Sequence, residues 1–200
     1  MLLFLSLLCT QYTAPAEAKD MNGKFGVGFS QTLGGVSGLS ARYFATRQLA
    51  FEIDFGASFL TNDNSTDLLF AVAVLYAPVQ HRHANLMVGV RVDLGLRTSP
   101  TSAQQTVTIG EAVNTETQSR TPEVGEATAQ INIEIPLIVE FFFTDSFAIN
   151  LAAGIVIVIA PEGGPILDVS GPGAVLEGGD VGIGIGAGGL LGSAGFTFYF

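Results

Sequence analysis

Large apolar residues alternate one for one with small or polar residues along most of this chain. A period of two sends successive side chains to opposite faces of a strand, so the pattern predicts β-structure. Leu49–Leu60 is the cleanest stretch: Leu49, Phe51, Ile53, Phe55, Ala57 and Phe59 share one face, and Ala50, Glu52, Asp54, Gly56 and Ser58 the other. Seven more segments follow the same rule: 24–32, 38–44, 68–76, 86–97, 129–141, 147–159 and 181–200. The fourth, 68–76, is apolar on both faces but keeps Ala71 and Ala73 on one. Pro136 cannot donate to a ladder, so it predicts a bulge or irregular pairing within the sixth. In the last segment the apolar parity slips at Gly188-Gly189, as a glycine bulge allows.

The connections sort by length. Those after the second, fourth and sixth strands are short or compact, at 45–48, 77–85 and 144–146. Those after the third, fifth and seventh lie at the other end, and two are long: 62–66, 98–128 and 160–180. Short turns at one rim and long loops at the other are the arrangement of an outer-membrane barrel. The predicted fold is therefore all-β, an eight-stranded antiparallel up-and-down transmembrane β-barrel.

Charge decides which face turns inward. Glu52, Asp54, Arg91, Asp93, Arg97, Glu134 and Glu140 all lie opposite the bulky aliphatic and aromatic side chains, and Arg42 shares a face with Ser40. Eight strands enclose an interior only just wide enough for side chains. Small and mutually paired polar residues belong there, and the bulky apolar residues then face lipid. Arg42 and Glu52 flank one short turn and are predicted cross-strand or diagonal neighbours, while Arg91 and Asp93 are placed to meet Glu134. The plainest role for these eight is a paired polar plug, since an unpaired buried charge is costly. The sharper one is a gate whose pairs rearrange to pass small ions.

Composition agrees. The chain is 48% hydrophobic but only 13% charged, against about 25% charged in ordinary globular domains. No apolar run approaches the roughly 18 residues of a membrane-spanning helix. A net charge of -10 with no basic cluster excludes a nucleic-acid partner. Leu2–Leu8 followed by Ala16-Glu17-Ala18 reads as a secretory signal, cleaved before Lys19, although no Lys or Arg precedes the apolar run. Residues 1–18 are then the signal and 19–200 the barrel. Cys9, the single cysteine, falls in the removed part, and Leu8 before it does not suit lipoprotein acylation.

The ending, Phe196-Thr197-Phe198-Tyr199-Phe200, puts three Phe rings on one face of a final strand. With this ending and the eight alternating segments, 19–200 resembles the small eight-stranded outer-membrane barrels of the OmpA/OmpX and OmpW type. The resemblance implies that Phe196, Phe198 and Phe200 form the signal read by the barrel-assembly machinery. It also implies a monomer in the outer membrane of a Gram-negative bacterium, in contact with membrane lipid and lipopolysaccharide.

Other candidate chemistry is thin. His81 and His83 share a face, but two ligands on a turn are too few for a metal site, and no cofactor is expected. Their short-turn position also argues against a lipid-modifying barrel enzyme, and no Ser/His/Asp arrangement is readable. Gly184–Gly189 matches G-x-G-x-x-G in form only, with no helix or later acidic residue to complete it. The long loops are acidic: Glu111, Glu116, Glu123 and Glu126 face one Arg120, and Glu162, Asp168, Glu177 and Asp180 face no cation. Solvated surface is the simple reading; cation bridging to lipopolysaccharide phosphates is the alternative. The functional reading is a non-catalytic membrane scaffold for surface loops. The alternatives are a narrow channel for small ions or apolar solutes, a lipid-modifying enzyme, and a secreted soluble barrel. Deleting Phe200 is expected to slow assembly, measured as the rate of appearance of folded protein, more than it lowers the unfolding midpoint of barrel already formed.

Overall fold

A computed structural model describes residues 19–60, 65–98, 127–161, 166–167, 179, 181–185 and 193–200. The predicted signal segment, 1–18, together with Gly188-Gly189 and most of the acidic loops, lies outside the described residues. The strands are β1 (Phe25–Gln31), β2 (Ser37–Phe44), β3 (Leu49–Leu60), β4 (Ser65–Gln80), β5 (Ala84–Thr98), β6 (Ala127–Phe142), β7 (Phe147–Ile159), β8 (Val181–Ile185) and β9 (Ser193–Tyr199). Each pairs antiparallel with its neighbour from β1 to β7. β9 pairs with β7 on one side and β1 on the other, which closes the sheet. β8 continues the β9 stave along the far half of β7. Nine strands thus make eight staves, and the chain is the closed eight-stave antiparallel barrel that its alternation predicted.

The strand ends correct the sequence reading in instructive ways. β4 extends to Gln80 rather than Tyr76, because its ladder with β5 shifts by one residue between Tyr76 and Val79. Ala77-Pro78 is that bulge: proline offers no donor, and the pairing resumes one residue out of step. At Pro136 the predicted irregularity takes a milder form. The β5–β6 ladder lapses opposite Pro136 and resumes at Arg91↔Glu134 in the same register, while Pro136↔Gly154 stays paired on the β7 side. The last stave is described as two strands, β8 and β9, both within the predicted 181–200, and the predicted slip at Gly188-Gly189 lies outside the described residues.

The faces fall as predicted. Every charged residue of the described strands sits on the inward face, and Phe25, Tyr43, Phe51, Ile53, Val74 and Phe198 are among the large apolar side chains that stand exposed outside. The interior is not uniformly small and polar, however. Its short-turn end is packed with Met21, Phe44, Leu75, Met87, Ile138, Phe142 and Tyr199. Phe44 and Phe142 each set their rings against Tyr199, at 6.1 and 5.9 Å between centroids. This apolar layer shuts that end of the lumen, and Lys19 lies over it with its Nζ 4.0 Å from the Phe142 ring centre.

Closure depends on β1 and β9 approaching closely. The seam runs from Gly26↔Tyr199 to Ser30↔Gly195, and Phe200 adds one further bond by donating its N–H to the Phe25 carbonyl at 2.9 Å. Gly28 sits mid-seam, and a Cβ there would strike the Phe196 backbone. Backbone cannot swing aside as a side chain can, and overpacking of this kind costs about 1–3 kcal/mol or more. Gly28→Val is therefore expected to lower the yield of folded barrel and its urea midpoint, whereas Val27→Ile on the outward face leaves both near wild type; unfolding followed by gel mobility would measure both.

Candidate functional site

Seven of the eight predicted interior residues converge in mid-lumen. Arg42 on β2 stands directly opposite Glu52 on β3, and Arg91 on β5 directly opposite Glu134 on β6. Arg91 bonds Glu134 at 3.1 Å and also reaches across to Glu52, which Arg42 holds from its other side. Arg42 in turn bonds Glu140 at 2.7 Å. The result is one alternating chain of acid and base: Glu140–Arg42–Glu52–Arg91–Glu134. It is sealed from water, with both arginines at most 3% exposed and the three glutamates at most 1%.

Two guanidiniums cannot balance five buried carboxyl groups, and neutral donors take up the remainder. Asn85 and Tyr199 donate to Glu140 at 3.1 and 2.6 Å, and Tyr199 also accepts from Arg42 at 3.2 Å. Ser30 donates to Asp54, and Thr32 to Asp93 at 3.0 Å. Asp54 lies 3.7 Å from the Arg91 Nε, beyond hydrogen-bond reach. One oxygen each on Asp54 and Asp93 and the Arg91 Nε are without a partner among the described residues. Sequence reasoning missed these neutral donors. Tyr199 had a signal, its inward parity in a strand of outward Phe; Asn85 lay in a segment read as turn.

The outer end of the cluster is covered by the β1–β2 connection, which folds into the barrel. Thr32 and Val36 close the turn through the Thr32 N–H to the Val36 carbonyl, 2.7 Å, and the Val36 N–H to the Thr32 hydroxyl, 3.0 Å. Gly35 supplies the left-handed conformation this requires, with φ of 98°. The Gly34 N–H then donates to Glu134 and its carbonyl accepts from Asn132 at 2.7 Å. A Cβ on Gly34 would collide with the Asp93 and Glu134 carboxylates. Leu33 packs on Val156 and Val158, and Val36 on Ala71 and Leu167. Gln130 holds the backbone of Ile166 and Leu167 at 2.5 and 2.9 Å, which places a second segment over the lumen.

Arg97 does not join the cluster, which corrects the prediction. It makes a bidentate bond to Asp67 at 2.8 and 2.9 Å near the long-loop rim. Asp67 escaped notice because β4 begins three residues earlier than its alternation suggested. His81 and His83 lie on the exposed short turn, their ring centres 6.1 Å apart. Phe196 and Phe198 point outward on β9 with Phe200 exposed just beyond it, and Phe147 stacks on Phe198 at 4.8 Å.

No family model matches this chain, and no curated protein does. Among solved structures it is similar to the N-terminal β-barrel domain of OprF from Pseudomonas aeruginosa, at 13% identity and a TM-score of 0.42, covering 88% of this chain and 96% of that one. Neisserial surface protein A gives 13% and 0.41, with coverage of 88% and 94%. Ail, the attachment invasion locus protein of Yersinia pestis, gives 11% and 0.40, with coverage of 90% and 100%. The assignment of the fold rests on this chain's own closed ladder.

The geometry separates the two kinds of ion pair. Removing one partner of a buried pair strands an uncompensated charge at a cost of about 3–5 kcal/mol. Arg91→Met strands Glu134 and leaves Glu52 to Arg42 alone, and is expected to lose that much in urea unfolding. Arg97→Met, at a site one-third exposed, is expected to lose about 1–2 kcal/mol in the same measurement.

Proposed function

We propose that this protein is an integral barrel of a bacterial outer membrane, non-catalytic, whose strands anchor surface loops. The observation that carries this reading is the inversion of its faces. A continuous belt of apolar side chains stands exposed outside, while every charge of the described strands is turned in. In water that belt would cost about 25 cal/mol for each Å² left wet; in a bilayer it is the required surface, and a charge in its place would cost about 2–4 kcal/mol for Arg or Lys. On this reading residues 1–18 are an export signal, and Phe196, Phe198 and Phe200 present their aromatic face to the barrel-assembly machinery before insertion. The acidic long loops would then stand outside the cell, where they meet solvent or, through divalent cations, lipopolysaccharide.

The charged interior also suggests a narrow channel, but its burial weighs against conduction at rest. An ion would have to displace the Leu33–Val36 turn and break the acid–base chain. The apolar layer under Glu140 adds a second barrier.

Export into the outer membrane is tested by fractionation combined with gel migration before and after boiling. The protein is expected in the outer-membrane fraction, with a faster-migrating unboiled form. A soluble chain that migrates identically in both lanes would exclude the reading. In planar bilayers the purified barrel is expected to show no steady conductance.

A further inference from the structure

The chain carries eight Lys and Arg, and they are not spread evenly. Arg42 and Arg91 are committed to the lumen and Arg97 to Asp67. Lys19, Lys24, Arg47 and Arg82 all gather at the short-turn rim, with His81 and His83 beside Arg82. In sequence the long loops carry only Arg120 against their run of acidic residues. Two acids, Asp20 and Asp145, stand among the four rim cations of the described residues.

Arg47 lines an open cleft of about 480 Å³ together with Asn22, Thr46, Gln48 and Gln80. All five lining residues carry polar side chains, and the Arg47 backbone is fixed by the Gln80 amide, which donates to its carbonyl. The guanidinium itself is 72% exposed and meets an acid already, Asp20, itself 60% exposed, at 3.3 Å. An exposed pair of this kind is held weakly, and a guanidinium fork accepts a phosphate as well as a carboxylate. Beneath the cleft the outer wall carries Tyr43, Phe51 and Tyr76, each nearly half exposed. Tyrosines such as Tyr43 and Tyr76, with an apolar ring and a polar tip, sit at the level of lipid headgroups.

We propose that the short-turn rim docks anionic glycerophospholipid headgroups, with the Arg47 cleft as the seat of one phosphate and Lys24 and Arg82 extending the surface on either side. The proposal rests on the membrane-barrel reading above. The phosphate takes the place of Asp20 on Arg47 while the acyl chains descend along Tyr43, Phe51 and Tyr76. Charge complementarity selects this occupant, since at this rim four cations, Arg47 and Arg82 exposed and Lys19 and Lys24 partly so, stand against Asp20 and Asp145.

The full chain would be folded into vesicles of phosphatidylcholine, and into vesicles in which phosphatidylglycerol replaces part of it. The readout is the temperature at which the fast-migrating form is lost. Phosphatidylglycerol is expected to raise that temperature by about 2–4 °C for each engaged cation, less in high salt. The combined Lys24→Gln, Arg47→Gln and Arg82→Gln variant is expected to show no difference between the lipids. Native mass spectrometry of the wild-type barrel should retain phosphatidylglycerol in preference to phosphatidylcholine, a check independent of the variant. Equal midpoints for wild type in both lipids, or a full difference kept by the triple variant, would overturn the proposal. A chain that never forms the fast-migrating species in either lipid would overturn the membrane reading as well; a barrel that inserts but ignores lipid charge would overturn the headgroup surface alone.

Discussion

Everything in this barrel follows from the narrowness of an eight-stave lumen. Such an interior has room for side chains and little else, so each polar group inside must be satisfied by others inside. The chain from Glu140 through Arg42, Glu52 and Arg91 to Glu134 is the solution at mid-height. It draws on β2, β3, β5 and β6, and Tyr199 brings in β9 through the same Glu140. A closed sheet is held edge to edge by its ladder; this cluster adds ties across the diameter. The alternation of sign matters more than the number of bonds, because each glutamate of the chain lies between cations or donors that offset its loss of water.

That cluster would be exposed to water from both ends if the staves were all there was. Two different devices close it. At the short-turn end the seal is apolar, with Met21 from the segment before β1 packed among Phe44, Phe142 and Tyr199. At the long-loop end the seal is polar inside and apolar at its edges: the Gly34 backbone meets Glu134 and Asn132, while Leu33 and Val36 anchor in separate apolar clusters. Gly34 could not be replaced by a residue with a Cβ without displacing the acids it caps. Among the described residues the lumen is filled like a core, with charges at mid-height and an apolar layer beneath them.

How much of this could be read in the sequence depends on whether the information was local. The facing of each strand was legible, because period two is a property of neighbours and one slip would turn every charge outward. Arg42 with Glu52 and Arg91 with Glu134 were legible for the same reason, being opposed in adjacent strands. The reach of Arg42 to Glu140 across the lumen was not, since it depends on the barrel's curvature and tilt. The bulge at Ala77-Pro78 hid the end of β4, as alternation breaks there without the strand stopping. The Leu33–Val36 turn left only a faint trace, two apolar residues within a glycine-rich connection. Asp67 and Arg97 were separated from the main cluster by their height on the staves, which spacing within one strand could show but spacing between strands could not.

A barrel whose interior is spent on holding itself together has only its surfaces left for contact with other molecules. The outer wall is committed to apolar neighbours, which leaves the two rims, and the rims differ in charge. The long-loop end is dominated by acids in sequence, whereas the short-turn end concentrates four of the eight cations. Assembly alone does not require that asymmetry, since closure needs only the seam, the ladder and the filled lumen. It matches the asymmetry of a membrane that presents different headgroups on its two sides. The same partition that drew two arginines inward to meet Glu52 leaves the remaining cations where a bilayer's anionic surface can engage them. On the proposed reading, inner and outer charges do separate work: the first ties the staves together, and the second would orient the barrel in the bilayer.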